Sequence, residues 1–148
     1  MNPLGDAIRT SYIFSGLTTE QADKVAALAE QRVFEGGTQL VRQFAKDSDI
    51  MVLVEGRARV NTFSGHLIAE LGVGSALGEM SLVDDKPRSA TVVAMGHVVA
   101  AVVPRQPLWE LMQSDAEIGR QVILNIARIM TERLRRANIE LDEAGRTA

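Results

Sequence analysis

The 148-residue chain contains no cysteine. Disulfides, thiolate metal sites and cysteine nucleophiles are excluded, and thiol redox chemistry with them. Histidine is almost as scarce: His66 and His97, at separate turns, cannot supply the several imidazoles with which cupin-type barrel enzymes hold a metal. The sequence also lacks a Ser-His-Asp set, a nucleophile elbow and a P-loop, so no enzymatic activity and no metal are expected. The most apolar run, VVAMGHVVAAVV (92–103), is too short to span a bilayer and is interrupted by Gly96 and His97. The opening MNPLGDAIRT does not follow the basic-then-apolar order of a signal peptide. No membrane partner is expected, and the cytoplasm is the expected location. Positive charge is in the minority, with 16 Lys and Arg against 19 Asp and Glu and a net charge of -3. A broad phosphate-binding surface is therefore absent, and nucleic acid is not expected as a direct partner. Seven residues follow Leu141, too few for a helix-turn-helix.

What is present points to a packed core. Apolar residues make up 46% and charged residues 24%, as in ordinary globular proteins, and the length suits one domain spanning 1–148. Three regimes follow one another. Residues 1–30 read as two short helices, LGDAIRTSYIF and then TTEQADKVAALAEQ, the second capped by Thr18 or Thr19 with Val25, Leu28 and Ala29 on one face. From 31 to 103, short apolar runs alternate with glycine-bearing turns at Gly36-Gly37, Glu55-Gly56, Ser64-Gly65 and Gly96-His97. Hairpins at that spacing predict a small antiparallel barrel or jelly roll. Over 104–142 the glycines become sparse, and QPLWELMQ predicts a short helix followed by a long one. Ser114 is its expected cap, with Glu117 completing a capping box. The fold class is thus α+β.

One stretch within the strand region stands out: GEMSLVDDKPRSATV, Gly78 to Val92. It lies between a strand ending at Leu77 and another beginning near Arg88. GEMSLV is long enough for one helical turn, whose free amides and positive dipole end suit an anion. Gly78 lets a ligand approach the backbone closely, and Met80 and Ser81 continue the same turn. Arg88 can grip a phosphate with two parallel hydrogen bonds, and Glu79 suits a sugar hydroxyl. A phosphate end beside a ribose end is what a cyclic nucleotide offers.

LGEMSLVDDKPRSATV resembles the phosphate-binding cassette of cyclic-nucleotide-binding domains, the family of the catabolite activator protein, the kinase A regulatory subunits and cyclic-nucleotide-gated channels. Gly78, Glu79, Leu82, Pro87, Arg88, Ala90 and Thr91 fall in register with the family pattern, and Gly56 in VLVEGRARV is the expected turn glycine. The resemblance implies an eight-stranded barrel with the cassette (77–92) inside it, N-terminal helices, and a C-terminal hinge leading to a long lid or dimer helix. It further implies that Glu79 takes the ribose 2′-hydroxyl and Arg88 the cyclic phosphate. The amides of Gly78, Glu79, Ser89 and Ala90 would complete the cradle. Two departures are visible. FAKDSD (44–49) stands where the family has a Gly-x-x-Gly-Asp turn, and Leu77 replaces a common aromatic. Ser89 leaves cAMP against cGMP open, with cAMP favoured.

In the last helix Val122, Ile126 and Ile129 share a face, and Arg133 falls on the same line. The resemblance places a lid residue there, against the base, and an arginine plane can stack on a purine. A second stripe, Ile123, Ala127, Met130, Leu134, Ala137 and Leu141, keeps a 4-3-4-3-4 spacing about 100° around the helix, so a homodimer or a protein partner through this helix is expected. The expected function is a cyclic-nucleotide sensor that signals through helix rearrangement. The alternative is a degenerate domain, with Glu79 and Arg88 a structural ion pair, that serves as a protein interaction module.

Overall fold

The computed structural model describes residues 3–41, 49–61, 67–83 and 90–147. Helix α1 spans Pro3–Thr10, its proline in the first turn where an N–H would have no intrahelical acceptor. Ser11 then adopts an extended backbone (φ -69°, ψ 137°), and a separate 3₁₀ turn follows at Tyr12–Phe14. LGDAIRTSYIF is therefore split rather than one helix, and the split aims Ile13 and Phe14 into the core. Helix α2, Thr19–Ala26, starts with a capping box: Thr18 Oγ1 accepts from the Gln21 amide, and Gln21 Oε1 accepts from the Thr18 amide. It ends earlier than the sequence pattern predicts. The amides of Leu28 and Ala29 turn back to the carbonyls of Val25 and Ala26, which tightens the chain before it leaves as a strand.

Among the described residues eight strands follow: β1 Glu30–Phe34, β2 Gln39–Val41, β3 Ile50–Glu55, β4 Ala58–Asn61, β5 Leu67–Leu71, β6 Ala76–Leu77, β7 Thr91–Ala94 and β8 Val98–Val103. They form two four-stranded sheets, ordered β1-β8-β3-β6 and β2-β7-β4-β5, with antiparallel pairing throughout. The expected strand count and α+β class hold, and the two sheets make a jelly-roll sandwich, not a closed barrel. The unbroken apolar text of β3 and β8 has a direct cause. Met51, Leu53, Val98, Ala100 and Val102 point between the sheets, while Ile50, Val52, Ala101 and Val103 point outward under the helices, so both faces are buried. At the β3–β4 turn Gly56 sits at φ +89°, and a Cβ there would collide with the His97 carbonyl. The turn expected at Ser64-Gly65 and residues 44–48 of FAKDSD lie outside the described residues.

Helices α3, Arg105–Ser114, and α4, Ala116–Thr147, close the fold. The cap lies one residue later than the sequence suggests. Ser114 ends α3 with its hydroxyl bonded back to the Leu111 carbonyl, and Asp115 Oδ1 accepts from the Ile118 amide at the start of α4. Gly119 lets the two helices meet closely, since a Cβ there would stand 2.6 Å from the Met112 carbonyl oxygen. Ile118, Val122 and Ile126 bury completely against the outer face of the first sheet and the N-terminal helices, and Met130 packs partly on the same cluster. Leu134 and Leu141, from the second stripe, are 62% and 71% exposed, so the described residues cover that stripe at Met130 and leave its C-terminal end uncovered.

Candidate functional site

The short β6 ends at Leu77, and the chain turns at Gly78 (φ +82°) into a 3₁₀ helix at Glu79–Leu82. Only a residue tolerant of the left-handed region makes that turn without strain, which explains the glycine. Leu82 anchors the far end of the helix in the core, and α3 packs against it. Glu79 is thereby carried inward: it is 5% exposed, one of the few charged or polar residues buried among those described. Met80 faces outward at 48% exposure. Ser81 lies in the same turn, and Ala90 is half-buried just ahead of β7. Arg88 and Ser89 lie outside the described residues, as do the acidic pair and lysine of 84–86.

A buried carboxylate needs partners, and two reach it from distant parts of the chain. Arg133 Nη2, from α4, stands 3.3 Å from Glu79 Oε1. The guanidinium remains half in solvent while the carboxylate does not, so the pair crosses the boundary between core and solvent. The second partner is Tyr12, whose one hydroxyl hydrogen is shared between the same Oε1 at 3.4 Å and the Ala76 carbonyl at 3.2 Å. Burial, and then the adjacent Glu79 charge, push the Tyr12 phenol up to about 12, while the Arg133 cation pulls the other way. Sequence reasoning brought Glu79 and Arg133 into one site but passed over Tyr12. The signal available was its singularity, the chain's one tyrosine directly preceding a buried Ile-Phe pair, because a buried phenol needs a hydrogen-bond partner.

Behind these groups a second polar contact ties the N-terminal turn to α4. Asn125 is buried, and its Nδ2 donates to the carbonyls of Ile13 at 3.0 Å and Ser15 at 2.7 Å, while its Oδ1 accepts from Gln121 Nε2 at 3.0 Å. Among the described residues no three His, Asp or Glu side chains gather as a metal site. No described helix is long and apolar enough to cross a membrane. His97 sits exposed at its turn, 3.7 Å from Glu35.

Known proteins share this sequence pattern and this fold. The family profile described as "Cyclic nucleotide-binding domain" matches residues 31–115. The chain belongs to that family. The cyclic AMP receptor protein of Thermus thermophilus is 28% identical over 141 residues, covering 91% of this chain and 62% of that protein. The crystal structure of the Thermus thermophilus catabolite activator protein superposes with a TM-score of 0.77 at 29% identity, over 89% of this chain and 62% of that one. A cyclic nucleotide-binding domain from Methylobacillus flagellatus, at 22% identity, shares the fold with a TM-score of 0.79 over 93% of this chain and 80% of that one. This cyclic-nucleotide-binding domain thus spans 62% of the length of the Thermus relative.

Proposed function

We propose that this domain is a cAMP sensor of the cytoplasm, with residues 1–148 acting as one unit. Glu79 accepts the ribose 2′-hydroxyl, Arg88 pairs with the cyclic phosphate, and the backbone of Gly78, Glu79, Met80, Ser81, Ser89 and Ala90 lines the cradle. Arg133 acts as the lid. The observation that carries the reading is the contact between Arg133 and the buried Glu79 carboxylate. It joins the closing helix to the very group expected to meet the sugar, so a ligand at Glu79 must also act on α4. Binding then selects between arrangements of the helix, and the helix surface is the output. The uncovered stripe of Ile123, Leu134 and Leu141 fits a second copy of the chain, since its apolar repeat continues where the protein's own core has ended.

Titration calorimetry with cAMP and with cGMP, run beside Arg88→Ala, tests the reading. Micromolar or tighter binding that disappears in the variant, with cAMP ahead of cGMP, is the expected result. No heat with either nucleotide, together with a melting temperature indifferent to excess ligand, favours the interaction-module alternative.

A further inference from the structure

We propose that Tyr12 is a positioning residue of the ligand site: its hydroxyl fixes the Glu79 carboxylate for the ribose hydroxyl and ties the N-terminal 3₁₀ turn to nucleotide binding. The inference rests on the reading of Glu79 as the ribose acceptor. Glu79 has three side-chain torsions, and a carboxylate free to swing must be ordered when a ligand arrives, which weakens binding. Arg133 alone is a poor anchor, because its long side chain is half in solvent.

Tyr12 differs in each respect. A tyrosine has only two torsions to order, and Ile13 and Phe14, which follow it, are fully buried. Asn125 holds the carbonyls of Ile13 and Ser15, so the turn that carries the ring is fastened directly after it. The hydroxyl also lies against the cassette itself, 3.2 Å from the carbonyl oxygen of Ala76, which lies in the strand that leads directly to Gly78 and Glu79. One phenol thus spans the backbone ahead of the cassette and the carboxylate within it, 3.4 Å away. A ribose hydroxyl donating to Glu79 redistributes charge on the oxygen that Tyr12 touches, which gives the N-terminal turn a direct means of sensing the ligand.

Tyr12→Phe removes the hydroxyl and keeps the ring, and comparison of cAMP with 2′-deoxy-cAMP isolates the ribose contact. Calorimetry is expected to show the variant binding cAMP about fivefold more weakly, the worth of one hydrogen bond, with its affinity for 2′-deoxy-cAMP unchanged. In a Glu79→Ala background the same substitution should leave cAMP affinity where it was, since the group it acts through is gone. Equal weakening of both nucleotides would make Tyr12 a packing residue, and no change in either would make the contact idle; each overturns the proposal. If the wild type binds neither nucleotide, the reading of Glu79 falls first and this inference with it. If the wild type prefers cAMP and Tyr12→Phe keeps that preference intact, the inference alone falls.

Discussion

Asn125, buried in the first third of α4, donates through Nδ2 to the Ile13 carbonyl at 3.0 Å, so the closing helix holds the opening turn directly. The other amide hydrogen takes the Ser15 carbonyl, and Gln121 satisfies the oxygen. Every polar atom of this side chain is used, which is what makes a buried amide tolerable. Gly16 (φ +86°) follows immediately, and a Cβ there would press to 2.8 Å against the Gln121 amide. The N-terminal turn and α4 are therefore matched in shape as well as in hydrogen bonding.

Replacing Asn125 with leucine strands the buried Ile13 carbonyl, while the Ser15 carbonyl, on an exposed residue, can turn to water. One unsatisfied buried group costs about 1 to 3 kcal/mol, a fall of about 2 to 10 °C in Tm for a domain of this size. Differential scanning calorimetry checks it. A Tm within one degree of wild type would mean the helix and the turn are held by apolar packing alone.

Ser11 offers the opposite case. Its side chain is fully buried, and among the described residues its Oγ has no hydrogen-bond partner. Ser11→Ala removes the unmet hydroxyl at a position whose backbone is already extended and unstrained. The variant should be more stable by about 1 kcal/mol, raising Tm by about 2 to 4 °C. A drop in Tm would show that the hydroxyl has a partner after all, such as a buried water.

How much of this was legible beforehand depended on how far apart the partners lie in the chain. The strands were readable because β3 and β8 bury both faces and print as continuous apolar text, and because Gly37, Gly56 and Gly96 mark turns with positive φ. The cap of α2 was readable only as Thr18 or Thr19, and the bonds exchanged with Gln21, three residues past Thr18, decide for Thr18. The same local logic misplaced the start of α4. Ser114 and Glu117 have capping-box spacing, but Asp115 is equally suited, and only the close crossing at Gly119 and Met112 assigns Ser114 to the helix before. Arg133 could be set on the buried line of α4 by counting turns. Tyr12 and Asn125 could not be found that way, because the acceptors of Tyr12 lie more than sixty residues off and those of Asn125 more than a hundred. Such pairings follow from tertiary packing, which no local spacing encodes.

Tyr12 also gives the site a pH signature. Its phenol is raised from 10.0 to about 12 by burial and by Glu79. The unfolded chain loses this proton near pH 10 and the folded one does not, so the unfolded state binds fewer protons and stability falls with rising pH across that window. The contribution is fully present below pH 10 and is lost as pH passes 12. Between pH 9 and pH 11.5 the Tm of wild type should therefore decline more steeply than that of Tyr12→Phe. Since Tyr12 is the only tyrosine, absorbance at the phenolate band reports its titration alone. Parallel Tm curves would show that the phenol meets solvent freely.

The two arginines should rank in a fixed order. On the proposed reading, Arg88→Ala would leave the cyclic phosphate without its bidentate partner, and the loss should be about 2 to 5 kcal/mol, or tens to thousands of fold in cAMP affinity. Arg133→Ala should cost less, because its guanidinium is half in solvent and only adds to a grip already made. The same substitution also frees Glu79 of a competing cation, which offsets part of the loss. Calorimetric Kd values for both variants decide the matter. If Arg133→Ala were the more damaging, the phosphate would be held by the lid rather than by the cassette, and the assignment of Arg88 would fail.

The exposed stripe of α4 should set the oligomeric state. Leu134 and Leu141 are spaced by two helical turns, stand 62% and 71% in solvent, and continue the line of Ile123, itself 38% exposed. A single domain gains nothing from leucines held there, whereas two antiparallel or parallel copies would bury them against each other and against Met130, whose side chain is already half covered. Replacing both leucines with glutamate puts like charges into that seam, so a dimer of the wild type in sedimentation equilibrium should become a monomer. The Tm of the isolated fold should hardly change, since neither side chain belongs to its core. A monomeric wild type at the highest concentration reached would remove the second copy as the occupant. The output of nucleotide binding would then have to be read by a different protein on the same stripe.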